Sequence, residues 1–237
     1  TQNETLRIAF LKTDDDDITN LFAINPATPD SPVQLTFTTM TIHDFGVSAD
    51  GRYIAYAERM AQAQNRNAEI FLLDLRTGDR RQLTNCVQED ADCTTPVFSP
   101  DGNTIAYQRV ELNSALNVGV SPNRVWLLRL NTNPISNIPL ISDSQVIGYS
   151  PVWSPDGEKI AFYDSSQSGI VIYDFVANAN TDAPTFDFIA SRYGSVGEFS
   201  PDSTQMIFPE IQTENALVRA TIQLAELDSG TFVTISD

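Results

Sequence analysis

Four consecutive aspartates, Asp14 to Asp17, one histidine, His43, and two cysteines, Cys86 and Cys93, are the groups of this 237-residue chain with the most distinct chemistry. Oxygen ligands suit calcium, which makes Asp14 and Asp16 weak calcium candidates. There is no Asp-x-Asp-x-Asp-Gly loop, however, and consecutive side chains do not converge on one ion. A solvated acidic loop is the preferred reading, with no cofactor required. His43 is the sole imidazole available as a general base. Just ahead of what reads as a strand, it suits a packed polar residue better than a catalyst. A nucleophile elbow needs Gly-x-Ser-x-Gly, and "GVSAD", "GVSPN" and "GYSPV" all fail at the last glycine. Zinc usually takes four ligands, which two cysteines and one histidine do not supply. The expected catalytic set is therefore empty, although spacing alone leaves a glycosidase-like pair of carboxylates open.

The cysteines bracket an acidic segment, "NCVQEDADC". A disulfide across this loop is the expected state, with two free thiols as the alternative, and the bond implies an oxidising compartment. Lysine occurs only as Lys12 and Lys159, which agrees with secretion. The formal net charge of −17 disfavours nucleic acid, whose phosphates need clustered Lys and Arg. It leaves basic proteins or divalent cations as partners. Apolar residues make up 41% of the chain, and no run approaches the length of a transmembrane helix. Any export signal is expected to be removed or to lie outside these residues. Asn3 heads a short "NET" glycosylation sequon.

The scaffold for these groups is a repeat. "VSADGRYIAY", "FSPDGNTIAY", "WSPDGEKIAF" and "FSPDSTQMIF" place Ser48, Ser99, Ser154 and Ser200 at intervals of 51, 55 and 46 residues. That period suits a four-stranded propeller blade. The turns use Asp50 and Gly51; Pro100, Asp101 and Gly102; Pro155, Asp156 and Gly157; and Pro201 and Asp202. Pro presets φ, Asp accepts from backbone amides, and Gly tolerates positive φ, so these residues read as structural. The strand that follows carries Ile-Ala-aromatic at Ile8, Ile54, Ile105 and Ile160. Consecutive apolar residues imply burial on both faces, and the small Ala would let neighbouring sheets approach. Third strands such as "EIFLLDL" and short fourth strands such as "RQLT" complete each unit. No stretch holds a helical period. The expectation is an all-β propeller of about five four-stranded blade modules, spanning roughly 1–38, 39–85, 86–142, 143–190 and 191–237.

In the first module "TQNET" occupies the turn slot, so that blade is expected to lack its innermost strand. Either the chain is an excerpt of a larger propeller, the simpler reading, or self-assembly lets a neighbour donate the strand.

The Ser-Pro-Asp-Gly-x-x-Ile-Ala-Phe/Tyr unit, followed by "IFLLDLRTGDRRQLT", resembles the TolB-type, WD-like propeller repeat over nearly the whole chain. That family includes the propellers of tricorn-like proteases and prolyl oligopeptidase relatives. The resemblance implies a fold and not one activity. The fourth copy departs from it, with Ser203 for Gly and Ile207 for Ala, which predicts a different turn and looser spacing to the neighbouring blade.

Turns after first and third strands are mostly short, whereas those after second and fourth strands are long and emerge on the opposite side. Long loops on a rigid scaffold are where binding concentrates. That face is expected to carry Asp14, Asp15, Asp16, Asp17, Glu89, Asp90, Asp92, Asp164, Glu210 and Glu214, together with the 109–123 loop. The functional expectation is a non-catalytic, extracytoplasmic (periplasmic or secreted) propeller that binds a protein partner or ligand through this acidic face. The alternatives are a gating propeller of a larger prolyl-oligopeptidase-like hydrolase, and a structural assembly subunit.

Overall fold

A computed structural model of the chain describes residues 8–61, 67–116, 118–181, 183–214 and 217–236; the Asn3 sequon lies outside them. Each repeat folds into one antiparallel sheet of strands consecutive in sequence. The first sheet has three strands among the described residues: β1 (Ile8–Thr13), β2 (Thr19–Ile24) and β3 (Val33–Gln34). The second joins β4 (Ile42–Val47), β5 (Tyr53–Arg59), β6 (Ala68–Asp74) and β7 (Arg80–Gln82). The third joins β8 (Ala91–Phe98), β9 (Thr104–Glu111), β10 (Arg124–Arg129) and β11 (Ser136–Pro139). The fourth joins β12 (Tyr149–Trp153), β13 (Lys159–Asp164), β14 (Gly169–Asp174) and β15 (Phe186–Ala190). The fifth joins β16 (Glu198–Phe199), β17 (Gln205–Glu214), β18 (Leu217–Glu226) and β19 (Thr231–Ser236). No helix occurs among the described residues. The inner strands β4, β8 and β12 neighbour one another, as blades around an axis require. At Gly46 in β4 a methyl group would lie 2.4 Å from the Pro96 carbonyl oxygen of β8, so only glycine permits that approach.

One rule repeats at all four sheet interfaces. Ala9 packs against Ile54 and Tyr56. Ala55 packs with Ile105 and Tyr107, Ala106 with Ile160 and Phe162, and Ala161 with Met206 and Phe208. The alternation of a strand sends the alanine to the following sheet and its two large neighbours to the preceding one. Ile207 itself does not face the fourth sheet. Met206 and Phe208 are buried against the fourth sheet in the ordinary way, while Ile207 faces outward and is 40% exposed. Backbone approach between the fourth and fifth sheets is nevertheless sparser than between the other neighbouring sheets, in line with the expected looser spacing.

The turns obey a second rule. In each, a serine hydroxyl donates to the aspartate two residues on: Ser48 to Asp50, Ser99 to Asp101, Ser154 to Asp156 and Ser200 to Asp202. The same hydroxyl oxygen accepts the amide N–H five residues on, at Tyr53, Thr104, Lys159 and Gln205. Gly51, Gly102 and Gly157 have φ of 67°, 70° and 74°. Ser203 takes the same conformation at φ 61°, so the fourth copy has the same turn after all. Its hydroxyl accepts the Asp156 N–H of the fourth sheet's turn at 3.1 Å, and this bond to its neighbour accompanies the strained φ.

Two boundaries differ from expectation. His43 lies inside β4. The 209–216 segment, read as a loop, is mostly hairpin: β17 and β18 pair from Gln205↔Glu226 to Glu214↔Leu217. Ile211, Thr213 and Val218 favour extended backbone, and the ladder continues through them.

Ala106→Leu should overpack the interface between the third and fourth sheets and cost about 1–3 kcal/mol in urea unfolding. Ile207→Ala should shift stability by less than about 0.5 kcal/mol. Equal losses would overturn the interface rule. Hydrogen bonds from Ser48, Ser99 and Ser200 hold Asp50, Asp101 and Asp202 below the usual carboxylate range. At Asp156 burial opposes the shift, but the Ser154 and Glu158 donors outweigh it. Folded-state values below the unfolded one mean stability present above about pH 3.9 and lost as pH falls through the folded value. Asp101→Asn should therefore lower the urea midpoint at pH 7, and its curve should converge on wild type as pH falls through the folded-state value. A constant difference at every pH would contradict this.

Candidate interaction face

The long loops emerge together and bond to one another. The Thr41 hydroxyl, in the loop before β4, donates to the Asp17 carbonyl in the loop after β1. Leu112 N–H, just beyond β9, donates to the Asp90 carbonyl before β8. Beneath this face lies Glu69 of β6, fully buried. Its carboxyl group accepts from the Thr84 hydroxyl and from the Cys86 and Val87 amides. The loop held in this way is closed by a Cys86–Cys93 disulfide, with Cα atoms 6.2 Å apart and both cysteines buried. Cys93 itself sits in β8.

Most of the expected binding carboxylates build the face instead of decorating it. Asp14 Oδ1 accepts the Asp16 and Ile18 amides, and Asp17 adopts φ 61°, so this run is a tight hairpin turn. Asp15, Asp16 and Asp17 stay exposed there. Glu89 and Glu111 clamp the buried guanidinium of Arg109, which stacks 4.6 Å from the Trp126 ring. Asp90 accepts both the amide and the hydroxyl of Ser114. Asp92 accepts the Ala68 amide. Asp164 is buried, against expectation, because its oxygens take four donors from Ser166 and Gln167. Glu210 lies in β17 and accepts the Arg192 and Ile211 amides. Glu214 ends that strand. No group of three or more His, Cys, Asp or Glu is poised around a common point among the described residues.

His43 is half-buried; burial, with Arg59 nearby, pushes its pKa down. Burial pushes Asp44 up, against the amide and hydroxyl of Thr95 that its carboxyl accepts.

What the charge pattern did not reveal is apolar. Between β9 and β10, Leu116, Val118 and Val120 are 69%, 72% and 65% exposed. The loop that presents them is fixed at its base. Glu111 and Ser121 bond reciprocally, Asn113 reaches the Gly119 carbonyl, and Ser114 is tied to Asp90. The sequence signal was the alternation in "LNVGV", inside a segment otherwise read as loop.

Glu69→Ala would leave two buried donors and one half-buried donor without their acceptor, a loss of about 3 kcal/mol. Thermal unfolding should register it, and the disulfide loop should gain amide exchange before the sheets do. Unchanged exchange at Cys86 and Val87 would contradict the anchoring role.

Comparison with known proteins agrees with this architecture. Residues 5–237 match the TolB beta propeller domain. A 125-residue stretch is 30% identical to dipeptidyl-peptidase 5 of Porphyromonas gingivalis, covering 51% of this chain and 17% of that protein. TolB from Acinetobacter baumannii superposes with a TM-score of 0.66 at 17% identity, over 97% of this chain and 51% of that one. A puromycin hydrolase superposes at 0.68 with 11% identity, over 96% of this chain and 35% of its own. The chain thus spans about half the length of that TolB and less of the two enzymes, and at such identities the structural likeness concerns fold alone. A five-sheet propeller with this turn chemistry and this match along its length belongs to the TolB beta propeller domain family.

Proposed function

We propose that this propeller is a non-catalytic protein-binding module working outside the cytoplasm, with its partner docked on the long-loop face. The exposed trio Leu116, Val118 and Val120 carries the reading. Three large apolar side chains on a loop pinned at its base cost solvation unless something covers them. Holding the loop before binding lowers the entropy lost on association. The exposed aspartates at 15–17 on the same face and the net charge of −17 favour a partner with a basic rim. The buried disulfide supports an oxidising compartment.

A second reading rests on the stretch shared with dipeptidyl-peptidase 5: the same face could gate a catalytic domain of a longer polypeptide. A photo-crosslinking residue at position 116 separates the readings in the native cell. The binding role expects an adduct with a second protein, absent when the residue is placed at Thr77 on the short-turn side. Crosslinking within one longer polypeptide would carry the gating reading. Adducts from position 77 alone would place the working surface on the opposite face.

A further inference from the structure

On the short-turn side, between the third and fourth sheets, lies a cleft of about 420 Å³. The volume falls in the range of small-ligand sites. Trp153, at the end of β12, and Phe175, beyond β14, form one wall; their rings stack at 5.4 Å and 11°. Leu127 of β10 adds apolar surface. Arg129, two residues further along the same strand, also lines the cleft, and its guanidinium has no ion pair or hydrogen bond among the described residues. Lining the cleft from the fourth sheet's turn is Asp156, whose carboxyl accepts from Ser154, Glu158 and Ser203 and keeps room for one more donor. Asn131 contributes an exposed amide.

The groups lining the cleft therefore include a free donor, a carboxyl with room for one more donor and an amide that does both, beside an aromatic wall. Arg129 and Asp156 line one cleft without pairing, so the complementary ligand both donates and accepts. It also needs an apolar flank for Trp153. A lone anion would meet Asp156 in a chain already at −17, and a lone cation would meet Arg129. A neutral sugar satisfies every condition: adjacent hydroxyls donate and accept in turn, and the C–H face of the ring is apolar. We propose that this cleft is a saccharide-binding site, holding a neutral sugar ring against Trp153 while Arg129 and Asp156 hydrogen-bond its hydroxyls.

The chain has two tryptophans, Trp126 and Trp153, so its indole N–H resonances form a two-peak assay with an internal control. Titration with a panel of neutral mono- and disaccharides, including glucose, galactose, N-acetylglucosamine and their dimers, should move the Trp153 peak saturably and leave Trp126 in place. Arg129→Ala, at an exposed strand end, should weaken that response about 10-fold or more with unchanged circular dichroism. Arg76→Ala, on the same side of the molecule but outside the cleft, should not. Failure of the whole panel to move Trp153 would overturn the proposal, as would a response indifferent to Arg129→Ala. A shift produced only by galacturonate or by free phenylalanine would assign the cleft to a charged ligand instead.

Discussion

An alanine of one sheet received by an isoleucine–aromatic or methionine–phenylalanine pair of the next sets the distance between neighbouring sheets. Burying each large side chain contributes roughly 1.5–3 kcal/mol, and the small partner is what makes room for it. With the sheets at that distance, the inner strands come close enough for Gly46 to lie under the Pro96 carbonyl. The strand ends then align around the axis and deliver long loops to one side and short turns to the other. Both the pinned loop around Leu116 and the cleft beside Trp153 are consequences of how those ends fall.

The fold was legible because two independent signals coincide in each repeat. Ser-Pro-Asp-Gly specifies a turn whatever surrounds it, and Ile-Ala-aromatic specifies a strand buried on both faces. Where a copy departs from the pattern, local reading fails in an instructive way. The glycine pattern suggests a different turn at Ser203, but serine takes the same positive φ there and its hydroxyl accepts the amide of the preceding turn. Ile207 occupies an alanine slot that belongs to the following interface, which one strand's sequence does not reveal, so its side chain faces outward. The β17–β18 hairpin runs on through polar residues that resemble a loop, which a strand tolerates where one face meets water.

Much less of the candidate face could be read. Acidic residues in loops have two uses, facing a partner or satisfying backbone N–H groups that the loop leaves open, and composition does not separate them. Asp14, Asp90, Asp92 and Asp164 each accept a backbone N–H. Glu89 is neither: it is half of a clamp on Arg109, twenty residues away and one strand over. Glu69 escaped notice because a single acid within an apolar strand resembles any other surface position until its three donors are in place. Leu116, Val118 and Val120 were visible as letters, but their exposure follows from bonds made by Glu111, Asn113 and Ser121 around them.

The contact between adjacent turns bears on how such a repeat diverges. Gly157 lies against the Pro100 ring, and Ser203 holds the Asp156 amide, so each of these turns has its neighbour as part of its environment. Copies that arise by duplication are therefore not interchangeable once they have adapted. The serine in the glycine slot bonds a neighbouring amide, whereas a side chain at Gly157 would come into van der Waals contact with the Pro100 ring. Drift in one unit changes what the next can accept, and the copies age in pairs.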